Sequence, residues 1–395
     1  MQRNRSQSGN ERVFLTGLGP ICPLGIGVGS LATAFWEVSE GIPGEEGEEP
    51  SGPLAAPQVD LSEFIETTRP YVDRHSEFAL AAGAMALGWA GAEETGLQPE
   101  RSGLATGTCF GNASSLETFQ QVIRAKGMRL ASPVLFPHCY ANTSNSLLCI
   151  EFGLRGYNQN FCGDVLCSAR AIQAGHRAVR IGRADLMLAG GVDALSERLG
   201  DVLTESGCAP TDLPPGEGGC LLTLENEESM ERRGSQAISE LAAVVSRGTG
   251  VSGAAVDEEA EQRLAGAISS AISTALEEAG MWEGDLGAVF LPVPAEGDDP
   301  VGRAGKRALS DFSQLPTFSP MPALGHTFAA AFPLQCTCAA LVLSQGALPS
   351  PPRLEEVSKG VELWVEQMPH GLLGDAVLVL GWTPRHVIAA ILRAV

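Results

Sequence analysis

Short apolar runs that stop at glycine alternate along this chain with longer segments of helical spacing, and the alternation runs through twice. Residues 12–19 (RVFLTGLG) form a β-type run ending in glycine before Pro20, which marks a strand leaving into a loop. Residues 76–95 carry Ala, Leu and Met at helical spacing, and residues 104–111 read as a second strand. A helix over 113–126, a strand over 157–162, a helix over 166–181 and a strand over 184–190 follow. The pattern then restarts, with strands at 238–245 and 287–293, helices at 258–280 and 327–345, and a final strand at 375–380. Alternation of this kind requires a parallel sheet covered by helices. The repeat divides the chain into halves spanning 12–235 and 236–385. Residues 40–60, rich in Gly, Pro and Glu, read as a solvated loop.

Charge and composition narrow the partners. The 395 residues carry a net charge of −21, the wrong sign for nucleic acid, whose phosphates bind by exchanging counterions for Lys and Arg. An anionic membrane surface is disfavoured for the same reason. Residues 1–12 are polar and lack the apolar run of a signal peptide. The longest apolar stretch, 327–343, contains Pro333 and Gln335 and reads as too short to span a bilayer. A soluble, cytoplasmic protein is expected. Its ten cysteines lie singly in apolar segments, the habit of reduced, buried thiols. Cys336 and Cys338 have no second pair to complete a zinc site.

Several stretches, in order and spacing, resemble the β-ketoacyl synthases. Residues 12–31 resemble their opening strand and loop. Residues 153–193 (GLRGYNQNFCGDVLCSARAIQAGHRAVRIGRADLMLAGGVD) resemble their G-L-R-G-P-N stretch, nucleophile elbow and A-G-G signature. Residues 216–225 (GEGGCLLTLE) and Gly325-His326 resemble two later motifs. The resemblance implies a thiolase-like α/β fold of five layers, α-β-α-β-α, built from two duplicated halves. It also implies a cysteine at the tip of a strand-to-helix turn, where a helix N-terminus stabilises the thiolate. Both flanks align without a gap, and Val165 falls on that cysteine. Glu296 falls on the first histidine of the family, Met321 on its lysine, and His326 on its second histidine. Residues 370–374 (HGLLG) match the F-G-F-G-G loop and lack its phenylalanines.

Decarboxylative condensation needs a thioester nucleophile, donors for the malonyl thioester carbonyl and an oxyanion hole. A synthase without its cysteine resembles the chain length factor of type II polyketide synthases, which pairs with an active ketosynthase. The resemblance places Ala113, Leu116 and Gln120, one face of a helix by i, i+3, i+7 spacing, at the far end of an acyl tunnel. It places 135–142, with Phe136, Cys139 and Asn142, in a loop crossing to the partner. An active ketosynthase subunit and an acyl carrier protein are the implied partners; no cofactor or metal is implied. An alternative is a stand-alone homodimeric acyltransferase using Cys167 or His326, and a third is a homodimeric acyl-binding protein. Cys162 and Cys167 read as core thiols, Asp164 as a helix cap, and Glu296 with Asp298 and Asp299 as a solvated acidic loop. Arg170, Arg177, Arg180 and Arg183 form the one basic patch suited to an acidic carrier protein.

Overall fold

The structure, a computed structural model, describes residues 11–37, 52–69, 71–91, 96–206, 213–251, 256–292, 300–348, 371–372 and 374–395. Glu296 and His370 lie outside the described residues, as do Asp298, Asp299 and Leu373. Among the described residues, ten strands carry the architecture. They are β1 (Phe14–Cys22), β2 (Ser102–Thr108), β3 (Asn158–Cys162), β4 (Leu186–Asp193) and β5 (Gly218–Glu225), then β6 (Ser239–Gly248), β7 (Leu286–Phe290), β8 (Thr317–Phe318), β9 (Ala376–Trp382) and β10 (His386–Arg393). A two-residue strand, Gly25–Ile26, folds back onto β1.

The strand order is β3-β2-β4-β5-β1-β6-β10-β9-β7-β8. It reads the same from either edge: β2 runs parallel to β3 and β4, and β7 runs parallel to β8 and β9. The inner strands pair antiparallel in both runs. The β9–β10 hairpin thus holds, in the second run, the place that β4 and β5 hold in the first.

Helices fill the spaces as three layers. Helix α1 (Arg74–Trp89) covers β1 and β5 from outside, together with α3 (Thr143–Glu151). Asp73 caps α1 by accepting the Ser76 N–H at 2.9 Å. Helix α4 (Cys167–Arg180) lies on the other face of β2 and β4, and Gln173 reaches across to donate to the Val244 carbonyl at 3.1 Å. Beside it runs α7 (Ala331–Gln345), buried along 331–343. The outer layer on the far side is α5 (Glu258–Ala279) with α6 (Pro300–Ala308), packed on β6 and β10. Three apolar cores lie between successive layers, so the five-layer α-β-α-β-α arrangement is present.

Asp257 caps α5 on the Ala260 N–H, and Gly280 ends it in the left-handed region at φ 65°. Its two ends fall where the sequence puts them. Three strands, β5, β8 and β10, were not anticipated. The helix expected over 327–345 begins instead as a 3-10 turn, Phe328–Ala330. Contrary to expectation, Phe328–Gln345 is long and apolar enough to cross a membrane, but 89% of it is buried inside the fold.

Candidate functional site

Strand β3 delivers the chain to the elbow. The Gly163 N–H bonds the Thr108 carbonyl at 3.2 Å, the chain turns through 163–166, and α4 begins at Cys167. Val165 sits at the tip, half-buried against the central core. Asp164 Oδ1 accepts from the Leu166 N–H at 3.1 Å, and Oδ2 accepts from Arg170 Nη2 at 3.1 Å. It therefore braces the turn, but it is not the cap it was read as: Leu166 holds the cap position. The first turn of α4 is pressed into the sheet. A Cβ on Gly107 would lie 2.3 Å from the Ser168 nitrogen, and one on Gly191 would lie 2.5 Å from Ser168 Cβ and 2.4 Å from the Ala329 oxygen. Cys167 is buried in this turn, facing the sheet.

His326 lies on the segment that Gly191 touches. Its backbone is pinned, the N–H to the Pro214 carbonyl and the carbonyl to the Gly216 N–H, both at 2.9 Å. Its Nδ1 accepts the Phe328 N–H at 3.2 Å, so the neutral ring carries its proton on Nε2. Burial pushes its pKa down to about 4. Phe328 packs against it at a tilt, ring centroids 4.6 Å apart, and holds a positive φ of 48°, a strained value for a phenylalanine. Phe110 packs edge-on to Phe328 at 4.8 Å and leads directly into α2 (Ala113–Lys126). Met321 is fully buried in the central core, where a charged side chain would find no water.

Beneath these groups lies a polar cluster that the sequence did not reveal. The fully buried Asp193 accepts from Thr108 Oγ1 at 2.7 Å, from the Cys109 and Phe110 N–H groups at 3.0 Å, and from the Ala329 N–H at 2.9 Å. One carboxylate thus ties the end of β2 to the segment after His326. His75 touches Thr108 Oγ1 at 3.3 Å; burial lowers its pKa, and Asp193 and Asp73 partly offset that. The Cys109 thiol is pushed up by its hydrogen bond with Cys167, by burial and by Asp193, so Cys109 is a poor nucleophile in place. The only sequence signal for Asp193 was the acid that closes A-G-G-V-D.

The proposed tunnel and interface residues come together on one surface. Ala113 is half-buried, whereas Leu116 is 42% exposed and Gln120 is exposed. Phe136, 47% exposed, contacts Phe119 and Tyr140 at ring distances of 5.6 and 5.3 Å. Cys139 donates to the Leu135 carbonyl, and Asn142 is exposed at the start of α3. A cleft of about 400 Å³ opens here, lined by Phe136, His138, Tyr140, Asn142 and neighbours.

The structure corrects two further expectations: Cys162, read as a core thiol, is exposed, and the described part of residues 370–374 does not hold the place of the F-G-F-G-G loop. Leu372 and Gly374 lie against Gly287, at the start of β7, and not near the elbow. Strand β9 runs parallel to β7, so their end of the sheet is about 20 Å from the end of β9. The loop that faces the elbow is instead the 383–385 turn between β9 and β10, where His386 Nδ1 comes within 3.8 Å of Asp164 Oδ2. The basic patch is also largely committed: Arg170 pairs with Asp164, Arg180 pairs with Glu278 at 2.7 Å, and Arg183 lies over the Tyr157 ring.

Residues 10–212, just over half of the chain, match the N-terminal domain of β-ketoacyl synthases. The chain belongs to the β-ketoacyl synthase family. It is 27% identical to 3-oxoacyl-[acyl-carrier-protein] synthase 2 of Vibrio harveyi, across 91% of this chain and 92% of that one. Among solved structures it is similar to the ishigamide ketosynthase/chain length factor, with a TM-score of 0.79 at 20% identity, covering 98% of this chain and 100% of that one. It is similar also to a type II polyketide synthase ketosynthase, AntDE, solved in complex with its acyl-carrier protein (TM-score 0.75, 20% identity, 98% and 100% covered). The fold is therefore the thiolase-like fold of ketosynthases over its full length.

Within that fold, the strand-to-helix turn presents two methyl groups at Val165, and His326 offers a donor at Nε2.

Proposed function

We propose that this chain is a non-condensing subunit of chain-length-factor type, cytoplasmic and built from two duplicated halves. It pairs with an active ketosynthase and shapes the acyl tunnel that sets polyketide or polyene length. Val165 at the elbow tip carries the reading: a thioester intermediate needs a nucleophilic atom there, and valine has none. Cys167 is no substitute, being buried with its backbone against Gly107. The face bearing Ala113, Leu116 and Gln120 is open in the isolated chain, so a tunnel there needs a second wall. Large apolar side chains crowd the same surface, among them Met128 (79% exposed) and Ile150 (70%). Exposed apolar area on this scale favours a protein partner. Strand β3 adds a sheet edge that is unpaired among the described residues. An acyl carrier protein, itself acidic, would dock mainly on the partner, because this chain is strongly negative.

The test is reconstitution. The purified chain, supplied with acyl and malonyl carrier proteins, should form no carbon–carbon bond alone, and should restore full-length product when added to its ketosynthase. Condensation by the chain alone would overturn the reading. So would a stable homodimer that refuses the ketosynthase.

A further inference from the structure

Both sequence neighbours of Val165 are held by the last hairpin. On one side, Asp164 Oδ2 lies 3.8 Å from His386 Nδ1, a buried ring nitrogen with no hydrogen bond of its own. On the other, a Cβ on Gly381 would lie 2.8 Å from Leu166 Cδ2 and 3.0 Å from Phe332 Cδ2, so the end of β9 rests on Leu166 and the start of α7. Arg170, one turn into α4, fixes the carboxylate from behind.

The hairpin is itself rigid. Thr383 donates its N–H to the His386 carbonyl at 2.8 Å, and its Oγ1 accepts from the N–H groups of Arg385 and His386 at 3.3 and 3.2 Å. Thr249 anchors the turn from the far side: its hydroxyl donates to the Pro384 carbonyl at 2.6 Å, and its N–H bonds the Arg385 carbonyl at 3.0 Å. A rigid turn tied to β6 at one side and to the elbow at the other has little freedom to lift.

We propose that the Asp164–His386 contact is a clasp that holds the hairpin over Val165, so that the elbow of this chain admits no acyl–pantetheine thioester. The elbow is closed as well as disarmed. This extends the reading of a non-condensing subunit without requiring it: closure is a property of the isolated chain, whatever it pairs with. The imidazole and carboxylate also surround the tip with polar groups, a poor lining for an apolar acyl chain, which would have to strip water from them.

The test places a reporter thiol at the tip. In the full-length Val165→Cys protein, iodoacetamide modification is followed by peptide mass spectrometry, with the exposed Cys162 as internal standard. Cys162 and position 165 fall within one tryptic peptide, residues 156–170, and fragment ions separate them. Modification at 165 is expected at least tenfold slower than at Cys162. Adding His386→Ala or Asp164→Asn should speed it up to about fivefold, the range for one partly exposed polar contact. Melting temperature and circular dichroism establish that each variant is folded. Modification at 165 as fast as at Cys162, or a rate that neither clasp variant changes in a folded protein, would refute the clasp. Labelling does not read condensation or pairing, so its failure leaves the reconstitution result standing, and the reverse.

Discussion

Acid should destabilise this protein well above the pH at which carboxylates titrate, because two buried histidines cannot take up protons in the folded state. His176, in the middle of α4, and His326, beside the elbow, are both held near a pKa of about 4, chiefly by burial, against an ordinary 6.5. Arg180 lowers His176 further. A folded-state pKa below the unfolded one means that the unfolded chain binds more protons between those values. Stability is therefore complete above about 6.5 and is lost as pH falls toward 4. Between pH 7.5 and 5.0 each histidine should remove about 2 kcal/mol of unfolding free energy, and the pair about 4 kcal/mol. His75, also depressed by burial, acts in the same direction. Glu77 opposes them, since burial raises its pKa and protonation then favours the folded form. Glu240, which burial would raise but Arg12 and Arg393 hold low, contributes stability at both pH values and loses it only as pH falls below the ordinary carboxylate pKa. Urea unfolding followed by circular dichroism at the two pH values measures the difference, and His326→Gln should remove about half of it. Equal stability at pH 7.5 and 5.0 would refute the placement of both rings.

The remaining expectations concern the altered site. Met321→Lys should cost about 3–5 kcal/mol, because Met321 is fully buried and the ammonium would be left without a partner; a shift in urea midpoint measures it. Val165→Cys should give no synthase, since the neighbouring Asp164 carboxylate disfavours a thiolate there; the absence of product with acyl and malonyl carrier proteins checks this. Ala113→Phe, in an intact complex, should shorten the product by one or more two-carbon units, read by mass spectrometry, because packed interiors resist added volume. Charge reversal at the partner ketosynthase's entrance should slow acyl loading far more than reversal of Arg177 here, measured as loading rate at fixed ionic strength.

What the sequence made legible, and what it hid, follows from how each signal arises. The ends of α5 were readable because an Asp cap and a glycine are local signals. The elbow was readable because ungapped flanks fix Val165 whatever its side chain. Strands β5 and β10 were not, since a strand covered on both faces shows no polar alternation. The missed β10 then displaced the loop: counting HGLLG as the turn before the last strand put it one strand too early. Asp193 and His75 were invisible for another reason. Their partners lie tens of residues away, Asp193 being 84 residues from Cys109. Backbone and side chain make separate demands at the elbow. Gly107 and Gly191 have no room for a Cβ because the first turn of α4 and Ala329 occupy that space. The N–H groups that hold Asp193 come from the same packed segments. None of these contacts involves the side chain at 165. The turn can therefore keep its shape with valine at its tip.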